Sequence, residues 1–534
     1  MERTYRRVIG TWTMLLCSVS SIIGSGWLFS SYYSSQIAGP AAIVSWLIAA
    51  VMTVIIAFTF AEISTLLAIP GGSSHFPHLT HGSLVSIVLS WISWLSIAVM
   101  PAIEVQAILQ YASFFFPHLL SGGINDSLSP LGFTIAAIMM ILFSIINIYS
   151  LRWVIRFNNA ITIWKVIVPI IAAIALLLWA FHPHNFTAFG GFMPMGWHGV
   201  LAAIATGGII FAFTGFKTVV EMAGEAHNPR RTVPFALIGS IIVCLIVYLL
   251  LQIAFLGAVP ASSLKYGWEG LNFTGSASPL ITLLAATGSV FILAILYINT
   301  VVAPMGAGLI YLTSSARVLQ AMSANHQVPQ FISLVNEHGI PVRAILINLV
   351  VSFVFFFPFP GWKEMVAFIS SLMAFSYALG PICLLVLRYQ LPEQARLFRI
   401  PYVHVWSFFA FFICTLMCYW TGWTVISKLA LFLIGCMVFS AGYRLVSARA
   451  REHAIQFKPS IWIWFYFAGL TLISYLGTFG NGRGILHFGP DFLAIGLLSL
   501  ITLFLAVRWR GNDAWVKEKC ERLAKTGHTF NQET

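Results

Sequence analysis

Apolar residues in this chain do not alternate with polar ones at the two-residue period of a half-buried strand. They run on in stretches of eighteen or more, from end to end of the sequence. Such stretches predict membrane-spanning helices, because in hydrocarbon a helix satisfies its own backbone donors and acceptors. The runs give about fourteen segments, at roughly 8–33, 41–69, 84–112, 131–150, 159–181, 200–225, 234–258, 280–312, 343–359, 364–388, 405–425, 428–447, 461–478 and 489–508. The ninth is short, and a tight joint near 421–428 separates the eleventh from the twelfth. The first run leads into a polytopic chain and lacks an A-x-A cleavage site, so it reads as a span and not as a removable signal peptide. A β-barrel is excluded, since its spans would be about ten residues of strict alternation.

Composition sharpens this picture. Of 534 residues, 59% are hydrophobic and 8% charged, against about 25% charged in a soluble domain. A soluble enzyme, a disordered chain and a secreted disulfide scaffold are therefore excluded, and the lipid bilayer is the expected surrounding. The net charge of +12 would suggest nucleic acid in a soluble protein. Here the cations sit in short loops, where they encode orientation, and no nucleic-acid partner is expected. With loops assigned alternately, 22 of the 28 Lys+Arg fall on one side, among them Arg3, Arg6, Arg7, Arg230, Arg231, Arg388, Arg396, Arg399, Arg449 and Arg451. Four fall on the other, and Lys165 and Lys217 lie inside spans. The bias predicts both termini in the cytoplasm and an even number of spans. The seven cysteines lack metal-ligand spacing, and His75, His78 and His81 read as a solvated amphipathic stretch more than a zinc site.

Glycine clusters inside two spans carry the first functional signal. The first span holds Ile22-Ile23-Gly24-Ser25-Gly26-Trp27, and the sixth holds Gly207-Gly208 followed by Phe211-Ala212-Phe213-Thr214-Gly215-Phe216. Irregular backbone at membrane depth is tolerated where it lines a cavity or is buried in protein, and paired interrupted spans in matching halves point to a transporter binding site. Spans one and six are five apart, the separation a five-plus-five inverted repeat requires. Close helix packing through small residues is the alternative.

Five stretches together resemble the amino acid–polyamine–organocation superfamily of permeases: IIGSGWLF at 22–29, GPAAIVSWLIA at 39–49 with the later AEIS and IPGGSSHFP, FAFTGFKTVVEMAGEAHNPRRTVP at 211–234, SSARVLQAMSANHQVP at 314–329 with GIPVRA at 339–344, and LRYQLPEQARLFRIP at 387–401. Their order and spacing match over roughly 8–425, and the fourteen-span layout resembles the bacterial aspartate–proton symporter branch. The resemblance implies an all-α polytopic membrane protein with a five-plus-five inverted-repeat (LeuT-type) core. That core would be spans one to ten in 1–400, with four additional helices in 401–510 and a cytoplasmic tail in 511–534.

Chemistry follows from that frame. Unwinding at Ile23, Gly24, Ser25 and Gly26 would expose N–H groups suited to a carboxylate. Unwinding at Phe211, Ala212, Phe213, Thr214 and Gly215 would free carbonyls suited to an ammonium. One zwitterionic amino acid satisfies both. Phe211 falls where related permeases carry an aromatic gate, with a lipid-facing Phe as the alternative. An ionisable residue at membrane depth is a functional hypothesis by default. Lys165 stands where sodium-coupled relatives bind a cation between spans one, five and eight, so the resemblance implies a proton-coupling lysine; snorkelling is the alternative. Glu104 is a candidate proton relay, or a partner for Lys165 or Lys217, and the sequence leaves these open. Lys217 would repel basic substrates and attract acidic ones, or pair with Glu221 four residues on. Glu62 and Glu225 read as gate or helix-end partners of arginines.

The expected function is a secondary transporter of a bacterial inner membrane that imports an amino acid with a proton, with aspartate or glutamate favoured by Lys217. An exchanger of the same fold, and a channel or non-transporting sensor, are the alternatives. No cofactor is expected, and no P-loop motif is present for direct ATP coupling.

Overall fold

The structure, a computed structural model, describes residues 9–121, 127–149, 151–273, 279–285, 288–336, 339–357, 361–396, 398–446 and 457–526. Arg3, Arg6, Arg7, Arg449 and Arg451 of the charge count, and the tail beyond 526, lie outside the described residues. Among those described the regular structure is helical, and the two β-bridges, Ile9 with Ala226 and Leu120 with Leu128, are isolated.

The first apolar run forms two helices, α1 (Thr11–Ile22) and α2 (Gly26–Ala38), because the backbone leaves helical geometry at Ile23 (φ −83°, ψ 77°). Gly39, at φ +61°, turns the chain into α3 (Ala42–Leu66). A short helix, α4 (Gly72–His81), precedes α5 (Ser83–Ala98) and α6 (Met100–Ala112), which meet at Val99, one residue before the Met100-Pro101 start of the second. Next come α7 (Pro130–Tyr149) and α8 (Leu151–Trp179). The sixth run is again divided, into α9 (Gly196–Thr206) and α10 (Ile209–Phe213), followed by a 3-10 turn at Thr214–Lys217 and a last turn, α11 (Thr218–Glu221). The remainder is α12 (Pro229–Ala258), α13 (Pro279–Ala285), α14 (Val290–Ala324), α15 (Val342–Val354), α16 (Trp362–Gln390), α17 (Val403–Trp420), α18 (Trp423–Val446), α19 (Ile461–Leu476), α20 (Pro490–Arg508) and α21 (Asp513–Thr526).

Each predicted segment contains helix, but not every helix is long enough to cross a bilayer. Among the described residues eleven pass on length and apolarity, or twelve with α9 and its continuation counted as one bent span. Thr11–Ile22 and Val342–Val354 are shorter, and Gly26–Leu66 joins the second half of the first run to the second. Hydropathy reports apolar length, whereas a crossing also depends on where the backbone breaks.

Helices α1, α8 and α14 pack against one another, α12 lies against α1 and α3, and α14 lies along α6. Helix α16 is buried along its apolar window and sits between α5, α3 and α17. The outer helices instead show apolar side chains outward, with Leu431 72% and Leu493 78% exposed, as lipid-facing surfaces do.

Helix α4 corrects one expectation. His75 and His81 are buried, not solvated. His75 Nδ1 lies 3.2 Å from Asn325 Oδ1, and His81 Nε2 lies 3.2 Å from the Ala506 carbonyl with its ring against Trp462. Burial pushes the His75 imidazole down to about 3 and the His81 imidazole down to about 4. The helical spacing of the three histidines was readable in sequence. That the helix turns back against α5, α14 and α16, and that the Gly511 N–H closes on the Thr80 carbonyl at 2.7 Å, is a matter of tertiary packing.

Candidate functional site

Two breaks meet in the middle of the bundle. In the first, α1 stops at Ile22 and α2 restarts at Gly26. In the second, the axis bends by 47° between Thr206 and Ile209. The hinge there is Gly207-Gly208, just upstream of the expected Phe211–Gly215. Gly208 has φ +83°, a conformation that favours glycine. The segment 214–217 then winds as a tighter 3-10 turn.

The breaks are close enough to require small residues. A Cβ on Gly26 would lie 3.0 Å from Ala212 Cα and Cβ. One on Gly215 would fall on the backbone of Ser21 and Ile22. The Tyr248 hydroxyl reaches the Ile22 carbonyl at 3.0 Å and the Ala212 carbonyl at 3.1 Å, so one phenol ties both breaks together.

Hydroxyls meet several carbonyls of the second break. Tyr377 donates to Thr214 O at 2.9 Å, Thr214 Oγ1 to Phe211 O at 2.8 Å, and Thr218 Oγ1 to Gly215 O at 2.8 Å. Ser30 donates to Gly208 O at 2.9 Å. Buried backbone acceptors need partners, and these hydroxyls supply them.

The first break is met by charge. Lys165, fully buried on α8, donates from Nζ to Ser20 O at 2.6 Å and to Ser20 Oγ at 3.1 Å. Its ammonium also faces Gly306 of α14, where a Cβ would stand 3.2 Å away. One cation therefore joins α1, α8 and α14. Glu104 of α6 faces Gly24 and Ser25, and Lys165 is its electrostatic partner. Of the two lysines open to it in the sequence, Lys165 is the one that acts electrostatically on Glu104.

Lys217 is buried beneath the second break. Its Nζ lies 3.3 Å from Ser93 Oγ and 3.9 Å from Glu221 Oε1, and it also contacts Ser376 Oγ. Glu221 in turn accepts from Ser73 N at 3.3 Å and from the Ser73 hydroxyl. Lys217 is thus held by α5, α16 and α11 at once.

Both ends of this region are closed. On one side Phe211 packs edge-on to Trp362, with ring centroids 5.5 Å apart, and Trp362 lies on Phe29 (4.6 Å) and Tyr33 (5.8 Å). Phe211 is 3% exposed, so its ring lies inside the protein and not in lipid. At the other end, Glu62 Oε1 lies 2.6 Å from Arg388 Nε and 3.1 Å from Arg396 Nε, and Glu62 Oε2 accepts from the Ile400 N–H at 2.8 Å. Glu225 meets Arg317 at 2.9 Å, and its carbonyl accepts from the Ile9 N–H at 3.0 Å.

Several contributors were invisible in the sequence. Trp362, whose Nε1 donates to Ser25 Oγ at 3.0 Å, is one of 18 tryptophans. Tyr248, Tyr311 and Tyr377 are three of 16 tyrosines. Ser20, Ser93 and Ser376 stand in apolar runs with no local signal.

Comparison with known proteins matches this chain to one family. The amino acid permease family matches residues 9–439. The chain is similar to the glutamate/serine transporter AimA of Bacillus subtilis, 34% identical with 98% of this chain and 97% of that protein covered. It is also similar to the aspartate-proton symporter of the same organism, at 30% identity over 95% and 97%. The branched-chain amino acid permease BcaP, again of Bacillus subtilis, is 27% identical over 82% and 93%. These proteins are transporters, not enzymes. Broken helices meeting at the centre of a multi-pass bundle, and a match that runs through both breaks and on into α18, lead to one conclusion: this chain belongs to the amino acid permease family.

Proposed function

We propose that the chain is a secondary active transporter that imports an amino acid together with a proton by alternating access, with aspartate and glutamate as favoured substrates. Its core is a five-plus-five inverted repeat in 1–400, carried in a fourteen-span chain with four further helices in 401–510 and a tail in 511–534. Both termini face the cytoplasm of a bacterial inner membrane. In this reading the bundle of spans one and six rocks against spans three, four, eight and nine. The Phe211–Trp362 contact is the outer gate, and the Glu62 and Glu225 ion pairs are the inner one.

The observation that carries the reading is the Lys165 ammonium on Ser20, placed between α1, α8 and α14. A protein-borne cation there replaces a metal ion as the group that ties the broken helix to its scaffold. With Glu104 as its partner, it forms a buried pair able to carry the transported proton. The substrate carboxylate belongs at the N–H groups of Ile23–Gly26, and its ammonium at the carbonyls of Phe211–Gly215. Lys217 supports an acidic side chain, as do the activities of two relatives, glutamate/serine transport and aspartate-proton symport.

The test is uptake into empty proteoliposomes without sodium. A pH gradient, acid outside, should drive accumulation of labelled L-aspartate or L-glutamate. A strict sodium requirement, or uptake only against a counter-substrate inside, overturns the symport.

A further inference from the structure

Glu104 sits in the middle of α6 and is 1% exposed. Its carboxyl group lies directly on the first break: a Cβ on Gly24 would stand 2.8 Å from Glu104 Cδ and 2.9 Å from Oε2. The hydroxyl and backbone N–H of Ser25 are directed at this carboxyl. Its Oε2 has no hydrogen-bond partner among the described residues. Ser25 is itself oriented from the far side, since its Oγ accepts from Trp362 Nε1 at 3.0 Å. The protein therefore places one of its own carboxylates at the buried N-terminal end of α2, the spot where the proposed function places the carboxylate of the amino acid.

Two ionised carboxylates cannot share one set of donors, because like charges at that separation disfavour each other's ionisation. The groups facing Glu104 are Lys165 from α8, Tyr248 from α12, Tyr311 from α14 and Ser25 at the head of α2. Tyrosine hydroxyls are neutral near pH 7, so Lys165 is the one cation among them and balances a single anion.

We propose that Glu104 is a tethered competitor for the substrate carboxylate: ionised, it fills the niche at Gly24-Ser25, and on protonation it yields that niche to the amino acid. The balance is one proton per substrate. A proton from the bulk forms an O–H bond on the Glu104 carboxylate, and the substrate carboxylate takes its place against Lys165 and the Ser25 N–H. Charge at the break is the same before and after. On release the amino acid leaves, the O–H bond breaks, and the proton departs to the same side. This inference rests on the symport reading and assigns the transported proton to the carboxylate of the pair, with Lys165 as the fixed counter-charge. It also defines the ligand class. A free carboxylate is obligatory, so a decarboxylated amine lacking it gains nothing from acid pH.

The test uses the full-length protein in detergent and in proteoliposomes, with L-glutamate and L-serine as probes and ethanolamine as the carboxylate-free control. Wild-type binding of whichever amino acid it accepts should take up one proton, measured by calorimetry in buffers of different ionisation enthalpy. Its affinity should fall about tenfold per pH unit on the alkaline limb, since raising pH ionises the competitor. Glu104→Gln should bind the same probe with pH-independent affinity, exceeding the wild type's by about tenfold for each pH unit along that alkaline limb, while pH-driven accumulation is lost and exchange persists. Wild-type binding without proton uptake overturns the proposal even where the variant does not fold. So does a Glu104→Gln protein that folds but binds more weakly at pH 8, or that still takes up a proton. Failure of the symport reading looks different: wild-type accumulation would ignore the pH gradient, whatever the effect of Glu104→Gln on affinity.

Discussion

The two breaks occupy matching places in the sequence, five spans apart, yet the structure completes them with different chemistry. At Ile23–Ser25 the surroundings are charged, with the Lys165 ammonium on Ser20 and the Glu104 carboxylate on Gly24 and Ser25. At Gly208–Gly215 the backbone carbonyls are met by the hydroxyls of Ser30, Tyr248, Tyr377, Thr214 and Thr218. A hydroxyl satisfies a carbonyl without changing charge, whereas an ionisable side chain at membrane depth is costly and is a functional hypothesis by default. The two breaks therefore differ in kind, with titratable groups at the first and neutral donors at the second. Lys217, the one cation near the second break among the described residues, closes the 3-10 turn and is tied to Glu221 and to two serines.

This contrast can be broken most directly at Lys165. Lys165→Ala removes the ammonium and leaves Glu104 without its partner, and it should abolish pH-driven accumulation while the purified protein still elutes as a folded monodisperse peak. Unchanged concentrative uptake would remove the charge from the mechanism of the first break. The next largest effect is expected from Gly26→Val. Its Cβ would press on Ala212 at 3.0 Å, and a β-branched side chain also restricts the local dihedrals. Substrate binding should drop below detection by scintillation proximity; normal affinity would show that the two breaks need not touch in the binding state.

Lys217→Gln sharpens the comparison from the other side. A cation a few ångströms from a bound side chain contributes about 1–4 kcal/mol at effective dielectrics between water and protein surface, or roughly five-fold to several-hundred-fold in affinity. Aspartate and glutamate should weaken by that factor relative to alanine and serine in competition assays. Because the substitution strands Glu221, the double variant Lys217→Gln/Glu221→Gln is the control. If it restores the preference for acidic substrates, Lys217 is an ion-pair partner alone. The smallest effect should come from Tyr248→Phe, which removes the hydroxyl shared by Ile22 O and Ala212 O. Leaving buried acceptors unsatisfied costs about 1–3 kcal/mol, so the melting temperature in detergent should fall by a few degrees while proton coupling survives. Loss of coupling in that variant would show that the second break also carries the charge response.

Much of this protein could be read from its apolar runs alone. Long uninterrupted hydrophobic stretches leave no alternative to membrane helices, and paired glycines in the first and sixth runs stand at the two breaks: Gly208 reaches φ +83° without strain, and Gly24 and Gly26 leave room for Glu104 and Ala212. Lys165 and Glu104 stood out for the same reason, as charges where hydrocarbon admits few. What the sequence could not decide was partnership. Whether Glu104 faced Lys165 or Lys217, which of 16 tyrosines would tie the breaks together, and whether the histidine stretch of α4 lay in water or in the protein all depend on which helices pack side by side. Such contacts link residues far apart in the sequence, as in the 145 positions between Ser20 and Lys165 and the 226 between Ile22 and Tyr248. Local pattern fixes what each segment can be, since backbone hydrogen bonding is satisfied within it. Only tertiary packing selects which buried polar group answers another, since that choice is made between segments.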